Sequence, residues 1–416
     1  MGSIGVIENG RAASRILPRQ RWIVAEAHPQ AAEELAKAAR IPSVLAELLV
    51  ARNITQAHEA FAFLNPEISH LHDPLLMHGM LAAVERLDTA ITRREPVLLY
   101  GDYDVDGTTA VVLLKTAIEI LGGVVRFHVP HRIREGYGLQ SSVLETAYAE
   151  GVRLAITVDT GMRAFAEAET ARRLGLDLII TDHHLPKADE TTPDALAILN
   201  PNQHGCCYPE KSLCGAAIAL KLAQALLERH DPARTREKLL PSFLKMAAIA
   251  TIADAVPLRG ENRVIAALGL RELRRPVGTG LRALFAAADL DPSAKPLTGF
   301  DVAFRLAPRI NAAGRMDVAS DVVELFCTRD RARAGELAAK LERLNRTRRE
   351  TEANALRNIE ERLATDSELA DSRLVVVDGD GWHRGVIGIL ASRVVERTAK
   401  PAIVVSVEDD YVVVDV

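Results

Sequence analysis

The chain has 416 residues, 48% of them hydrophobic, which is enough for two or three cored domains, and no apolar run approaches transmembrane length. With 26% charged residues and a formal net charge of -5 it lacks the composition of a generic nucleic-acid binder, so a polyanionic substrate must be held by local basic patches or by metal. The aromatic content of 4% argues against a stacking platform spread along the chain, and Cys206, Cys207, Cys214 and Cys327, none in a CxxC pair, are expected as reduced thiols in the cytoplasm.

Residues 1–21 read as a loose tail, followed by Ala- and Leu-rich helical patterns from Ala31 to Leu64. Phe63 to Met80 is an irregular connector broken by Pro66 and Pro74, and Met80 to Arg93 is an amphipathic helix. Val97 to Tyr100 is a short buried strand that runs through Gly101 into DYDVDG, where Asp102, Asp104 and Asp106 alternate with Tyr103 and Val105. In extended backbone alternate side chains share a face, so three carboxylates can converge before a helix from Thr108 to Glu119. Carboxylates this close repel one another unless a cation neutralises them. A solvated acidic turn is the bland alternative, but such a turn needs no apolar strand aimed straight into it.

Strands then alternate with helices. Strands are expected at Val124–Val129, Leu154–Val158, Leu178–Thr181 and Ala195–Leu199, and helices at Ser142–Glu150, Ala164–Leu174, Gly215–Leu227 and Leu244–Thr251. The alternation predicts a doubly wound parallel sheet with helices on both faces. Further on, Arg305 to Asp317 reads as a Gly- and Arg-containing connector, and Asp330 to Ala364 as one long polar helix rich in arginine, most simply a solvated face. A last βαβ unit, with strands Leu374–Val377 and Ala402–Val405 around a helix from Gly385 to Glu396, is expected to be part of a second, smaller α/β domain that is incomplete at Val416.

The acidic and histidine residues gather where strands end: Asp102, Asp104 and Asp106, then Asp159, then Asp182, His183 and His184, with Asp254 after an apolar helix. In a doubly wound sheet those ends meet at one edge, where ligands bind. Singly, each aspartate could be a helix cap and each histidine a satisfied core residue. Together they point to a metal site. The absence of thiolates argues against structural zinc, and imidazole among carboxylates suits manganese better than magnesium, which remains an alternative. Five or more ligands exceed the needs of one ion, so two ions and phosphoester or phosphoanhydride hydrolysis are expected.

The motifs LLYGDYDVDGTTA, PHRIREGYGL, ITVDTG, IITDHH, ILNPNQ, IADAVPL, RINAAGRMD and GWHRGVIGILASR resemble those of the DHH phosphoesterase superfamily, and within it the RecJ-type single-strand-specific exonucleases. The resemblance implies that Asp104, Asp106, Asp159, His183 and Asp254 ligate two manganese ions, with Asp159 bridging and Asp102 an auxiliary catalytic carboxylate. It also implies that His184 meets the scissile phosphate and that Arg132, Arg315 and His383 bind substrate. The implied activity is removal of 5′-mononucleotides from the 5′ end of single-stranded DNA in repair and recombination. The implied setting is a cytoplasmic monomer, away from membranes, beside a single-strand-binding protein and a helicase. The expected organisation is a tail and helical segment (1–79), a DHH catalytic domain (80–320), a connecting helix (321–370) and a partial DHHA1-like domain (371–416). A small-substrate DHH phosphodiesterase, for nanoRNA or cyclic dinucleotides, and a catalytically inactive DHH scaffold are the alternatives.

Overall fold

The computed structural model describes residues 22–24, 26–275, 277–408 and 411–415; the expected tail, residues 1–21, lies outside them. The chain divides into two compact units, one of residues 62–345 and the other of residues flanking them on both sides. Three helices come first: α1 (Pro29–Ala39), α2 (Ser43–Val50) and α3 (Ala57–Leu64).

The larger unit is built on α4 (Met80–Thr92), β1 (Pro96–Gly101), α5 (Val105–Ile120), β2 (Val124–His128), α6 (Ser141–Ala149), β3 (Leu154–Val158), α7 (Phe165–Leu174), β4 (Asp177–Thr181), β5 (Ala197–Leu199) and α8 (Gly215–His230). All five strands are parallel, in the order β2-β1-β3-β4-β5. The alternation along each strand decides which layer its side chains enter. Val97 and Leu99 of β1, with Ile156 and Val158 of β3, pack on one face against α4, α5 and α8. Leu98 and Tyr100, with Ala155, Leu178 and Ile180, pack on the other against α6 and α7. Both faces are therefore apolar, as a doubly wound sheet requires. Because β2 lies on one side of β1 and β3 on the other, the topological switch point falls between the C-terminal ends of β1 and β3.

Two expectations need correction. The helix after β1 starts at Val105, not Thr108: Asp104 is its N-cap, accepting the Gly107 N–H at 3.0 Å, and Asp106 sits in the first turn. The three carboxylates therefore converge through a cap and a helical turn rather than through extended backbone, because a short acidic side chain satisfies the orphan N–H groups of a helix start. Arg305–Asp317 is also no connector. A π-helical turn (Val302–Leu306) leads into a helix (Ala307–Met316) whose first turn tolerates Pro308. Its Gly314 is required by packing: a Cβ there would lie 2.3 Å from the Tyr103 carbonyl oxygen. Val302, Leu306 and Ile310 bury its opposite face in a second core with Leu284, Phe285 and Leu325.

The long helix runs from Arg331 to Thr365. Its first half is less solvated than its polarity suggests, since Ala334, Leu337, Ala338 and Leu341 join that second core. Several of its bases are already paired: Arg333 with Glu324 at 2.6 Å, and Lys340 with Asp317 and Asp321 at 2.7 and 2.6 Å. In the other unit, β6 (Val375–Asp380), a helix (Ile387–Thr398) and β7 (Ala402–Glu408) form the expected parallel βαβ, and β8 (Tyr411–Asp415) adds an antiparallel third strand.

Candidate metal centre

Four stretches of chain meet at the switch point. The loop after β1 brings Asp102, Asp104 and Asp106; β3 ends in Asp159; β4 ends in Asp182, His183 and His184; and the helix Leu240–Ala253 ends at Asp254. Ligand-capable atoms of Asp102, Asp104 and Asp159 lie within 4.8 Å of one another, as do those of Asp159, His183 and His184 and those of Asp106, His183 and Asp254. Asp159 and His183 each belong to two of these sets. His183 Nε2 stands 3.1 Å from Asp159 Oδ1 and 3.8 Å from Asp106 Oδ2, while its Nδ1 stands 3.9 Å from Asp254 Oδ2.

Local backbone fixes each group. Asp106 is clamped by the N-terminus of α8, accepting Gly215 N–H at 2.6 Å and Ala216 N–H at 2.8 Å, where the helix dipole favours an anion. Gly215 in turn leaves room for Asp159, since a Cβ there would fall 2.5 Å from Asp159 Cβ. Asp159 adopts φ +60°, an uncommon conformation for a residue other than glycine, with its N–H held by Thr181 O at 2.9 Å. Such an outlier is characteristic of sites where geometry is over-determined.

The electrostatics demand a counter-charge. Burial, then Asp106 and its neighbours, push the Asp159 carboxyl well above the usual range. Burial and Asp104 raise Asp102 to about 7, burial and Asp106 raise Asp254 to about 7, and the same causes raise Asp104. Asp102 Oδ1 and Asp159 Oδ1 are buried and accept no hydrogen bond, the His183 contact to the latter lacking the alignment of one. Buried carboxylate oxygens left without donors are costly, and cations bound among them remove that cost. The donor set, carboxylates with imidazole and no thiolate, fits divalent ions such as manganese.

Asp182 does a different job. It accepts Met162 N–H on one oxygen at 2.8 Å, and on the other the N–H groups of His183 and His184 at 2.8 and 3.1 Å and His184 Nδ1 at 2.7 Å. Burial works against its charge, but the His184 bond and these N–H donors hold it below the usual carboxylate range. The same bond raises the His184 imidazole. His184 is thereby oriented through Nδ1.

Arg132 lies over the Tyr103 ring, 5.0 Å from its centroid, and its charge reaches Asp102. Arg315 follows Gly314 on the helix rather than in a loop, and its charge reaches Tyr103. His383 lies in the other unit, where its Nδ1 accepts the Gly385 N–H at 3.0 Å. Sequence reasoning missed several supporting residues. Asn311 accepts the Val105 N–H at 3.0 Å, tying the helix of Arg315 to the acidic loop. Asn200 and Asn202 donate to the carbonyls of His184 and His183 at 2.8 and 3.0 Å. Tyr137 stands edge-on to both Tyr103 and His184. The ILNPNQ, PHRIREGYGL and RINAAGRMD motifs contain all four of these residues, but no periodicity could show what they touch.

The comparisons agree with this geometry. A model of the DHH family, N-terminal domain, matches residues 96–251, the span of the sheet and most of the cluster. The single-stranded-DNA-specific exonuclease RecJ of Bacillus subtilis (strain 168) is 38% identical over 394 residues, 94% of this chain and 48% of the relative. The protein of the same name from Escherichia coli (strain K12) is 36% identical over 381 residues, 88% of this chain and 64% of the relative. The chain thus spans about half the length of the Bacillus relative. Among solved structures, RecJ from Thermus thermophilus in complex with Mn2+ matches with a TM-score of 0.77 and 29% identity, over 92% of this chain and 53% of that one. An exonuclease RecJ bound to manganese matches with a TM-score of 0.70 and 34% identity, over 79% of this chain and 80% of that one. Fold and sequence identity agree, and the chain belongs to the DHH family, in its RecJ group.

Proposed function

We propose that this chain hydrolyses phosphodiester bonds of single-stranded DNA, releasing 5′-mononucleotides from the 5′ end, with two divalent cations as cofactors. The observation that carries the reading is the meeting of Asp102, Asp104, Asp106, Asp159, His183, His184 and Asp254 at the switch point, with two buried carboxylate oxygens lacking donors. Asp104, Asp106, Asp159, His183 and Asp254 are the ligands in this reading. Asp159 is the bridge, as the resemblance implies and as a carboxylate with two oxygens that belongs to two of the three ligand sets allows, and Asp102 is an auxiliary carboxylate. Bound ions would supply an ionised water and neutralise charge on the phosphoryl group. Manganese is preferred over magnesium because imidazole stands among the carboxylates.

The remaining roles fall to the chain's own groups. His184 Nε2 meets a phosphate oxygen, oriented by the Asp182 bond at Nδ1. Arg132 and Arg315 grip phosphates beside the site; His383 is read as a substrate-binding residue of the other unit. The relatives' names support the substrate, and 5′ polarity rests on the family resemblance. We infer a cytoplasmic monomer acting in DNA repair and recombination beside a single-strand-binding protein and a helicase. Among the described residues no helix is long and apolar enough to cross a membrane. The domain reading is a catalytic domain at 80–320, a connecting helix at 321–370 and a DHHA1-like part at 371–416.

The test uses single strands labelled at either end, a blunt duplex and a dinucleotide, each with Mn2+, Mg2+ or chelator. Early release of the 5′ label as a mononucleotide, with the duplex intact, is expected. Asp159→Asn, chosen because asparagine tolerates the positive φ of this position, is expected to abolish turnover while the fold persists. Attack from the 3′ end, equal attack on the duplex, preference for the dinucleotide, or full activity of the variant overturns the reading.

A further inference from the structure

Two phenylalanines stand in solvent on one helical turn. Phe300 is 65% exposed and Phe304 67%, and their ring centroids lie 4.7 Å apart at 34°. Isolated exposed apolar residues are ordinary, but a contacting aromatic pair this open is not, in a chain with only nine phenylalanines. The pair spans the start of the π-helical turn Val302–Leu306, a distortion that recurs at functional positions.

The helix connects this pair to the candidate metal centre. Phe300, Phe304, Pro308, Asn311 and Arg315 are spaced four, four, three and four residues apart, so they form one stripe, while Val302, Leu306 and Ile310 face the core. At the far end of the stripe Asn311 accepts the Val105 N–H and Gly314 touches the Tyr103 carbonyl, both in the acidic loop. From Phe304 to Arg315 the axis rises about 16 Å at ~1.5 Å per residue, and about 22 Å from Phe300. At ~3.4 Å per stacked nucleotide this is about five to six nucleotides, and fewer if the strand is stretched. We propose that Phe300 and Phe304 are a nucleobase-stacking step for a single DNA strand whose terminal phosphate lies at Arg315 and the metal cluster.

The inference rests on the proposed nuclease reading and deepens it. It explains how a chain with 4% aromatic residues and net negative charge could hold a strand: a few charges at the terminal phosphate and one aromatic step further along. Every base has a π-face, so such a step tolerates any sequence. A paired strand keeps its bases stacked within the duplex, so the same step favours single strands.

The test measures kinetics and binding with the full chain. In Phe300→Ala/Phe304→Ala, KM for a long oligodeoxynucleotide is expected to rise roughly 5- to 150-fold with kcat unchanged, the range set by loss of one stacked base. KM for a dinucleotide, too short to reach the pair, stays constant, and Phe304→Trp keeps wild-type KM. Abasic residues placed about two to six nucleotides from the 5′ end raise the wild-type KM by a similar factor and add nothing in the double variant. Unchanged KM for the long strand, or an abasic penalty equal in both proteins, overturns the proposal; a protein docking on the pair would give that result. If the wild type cleaves no strand, the nuclease reading fails. Fluorescence anisotropy of the same strands on metal-free protein still tests the stacking step, which fails there if wild type and double variant bind alike.

Discussion

Asp182→Asn separates a positioning carboxylate from the metal ligands around it. The wild-type side chain accepts four N–H donors, three on one oxygen and Met162 N–H on the other. An amide has one oxygen. Turned to keep the three donors, it points its own N–H2 at Met162 N–H, 2.8 Å away in the wild type, leaving two buried donors face to face. A buried unsatisfied donor costs about 1–3 kcal/mol, and hydrogen bonds to a neutral acceptor are weaker than those to a carboxylate. Deleting the charge relieves the burial that opposes it, so the expected net loss of stability is about 1–3 kcal/mol. The loss should vary with pH. The raised His184 value contributes stability fully present below the unfolded imidazole value of about 6.5, lost as pH rises through the folded value. The lowered Asp182 value contributes stability present above about 3.9, lost as pH falls. The gap between wild type and variant is therefore widest between about pH 4 and 6.5 and narrows as pH rises above that window. Urea unfolding of metal-free protein across that range reads it, and kcat with Mn2+ should fall about 10- to 100-fold because His184 loses its orientation. A gap below about 0.5 kcal/mol at pH 5.5, a gap that widens toward alkaline pH, or an unchanged kcat refutes the reasoning.

Metal removal should invert the usual pH response of the fold. Asp102 and Asp254 near 7, with Asp159 also raised well above the usual range, keep protons that the unfolded chain releases above about 3.9, so stability of the chelated protein falls as pH rises from about 4 through 7. Mn2+ should restore it with release of protons, and a chelated protein whose Tm rises from about pH 5 to 8 would contradict this. Elsewhere, Lys221 and Glu261 form a wholly buried ion pair at 2.9 Å, in which Glu261 also accepts Tyr208 O–H at 2.6 Å and His72 N–H at 3.1 Å. Lys221→Met strands the carboxylate and should cost about 3–5 kcal/mol in urea unfolding, whereas Lys221→Met/Glu261→Gln should recover much of it; additive losses would show the pair is not coupled.

Much of the site could be read from local pattern. Apolar runs ending in acidic residues mark Asp102, Asp159 and Asp182 as strand C-termini, because a parallel strand buried on both faces must be continuously apolar and must end where polar loops begin. Strand alternation with helices then dictates a doubly wound sheet, and the chirality of its crossovers gathers those ends at one edge. Local pattern did not show how the acidic loop is held. Asp106 becomes a usable ligand because the N-terminus of α8, more than a hundred residues away, clamps it, and Gly215 in that same turn leaves room for Asp159. The sequence around Arg305–Asp317 reads as a breaker-rich connector because Pro308 and Gly314 are weak helix formers. Tertiary packing makes it a helix: Pro308 needs no N–H in the first turn, and Gly314 leaves room for the Tyr103 carbonyl. Composition and spacing along the chain determine which residues can bind metal and where strands end. Which of them touch, which oxygens are left without donors and which aromatic rings stay in solvent depend on contacts between segments far apart in sequence, and only the packed structure decides them.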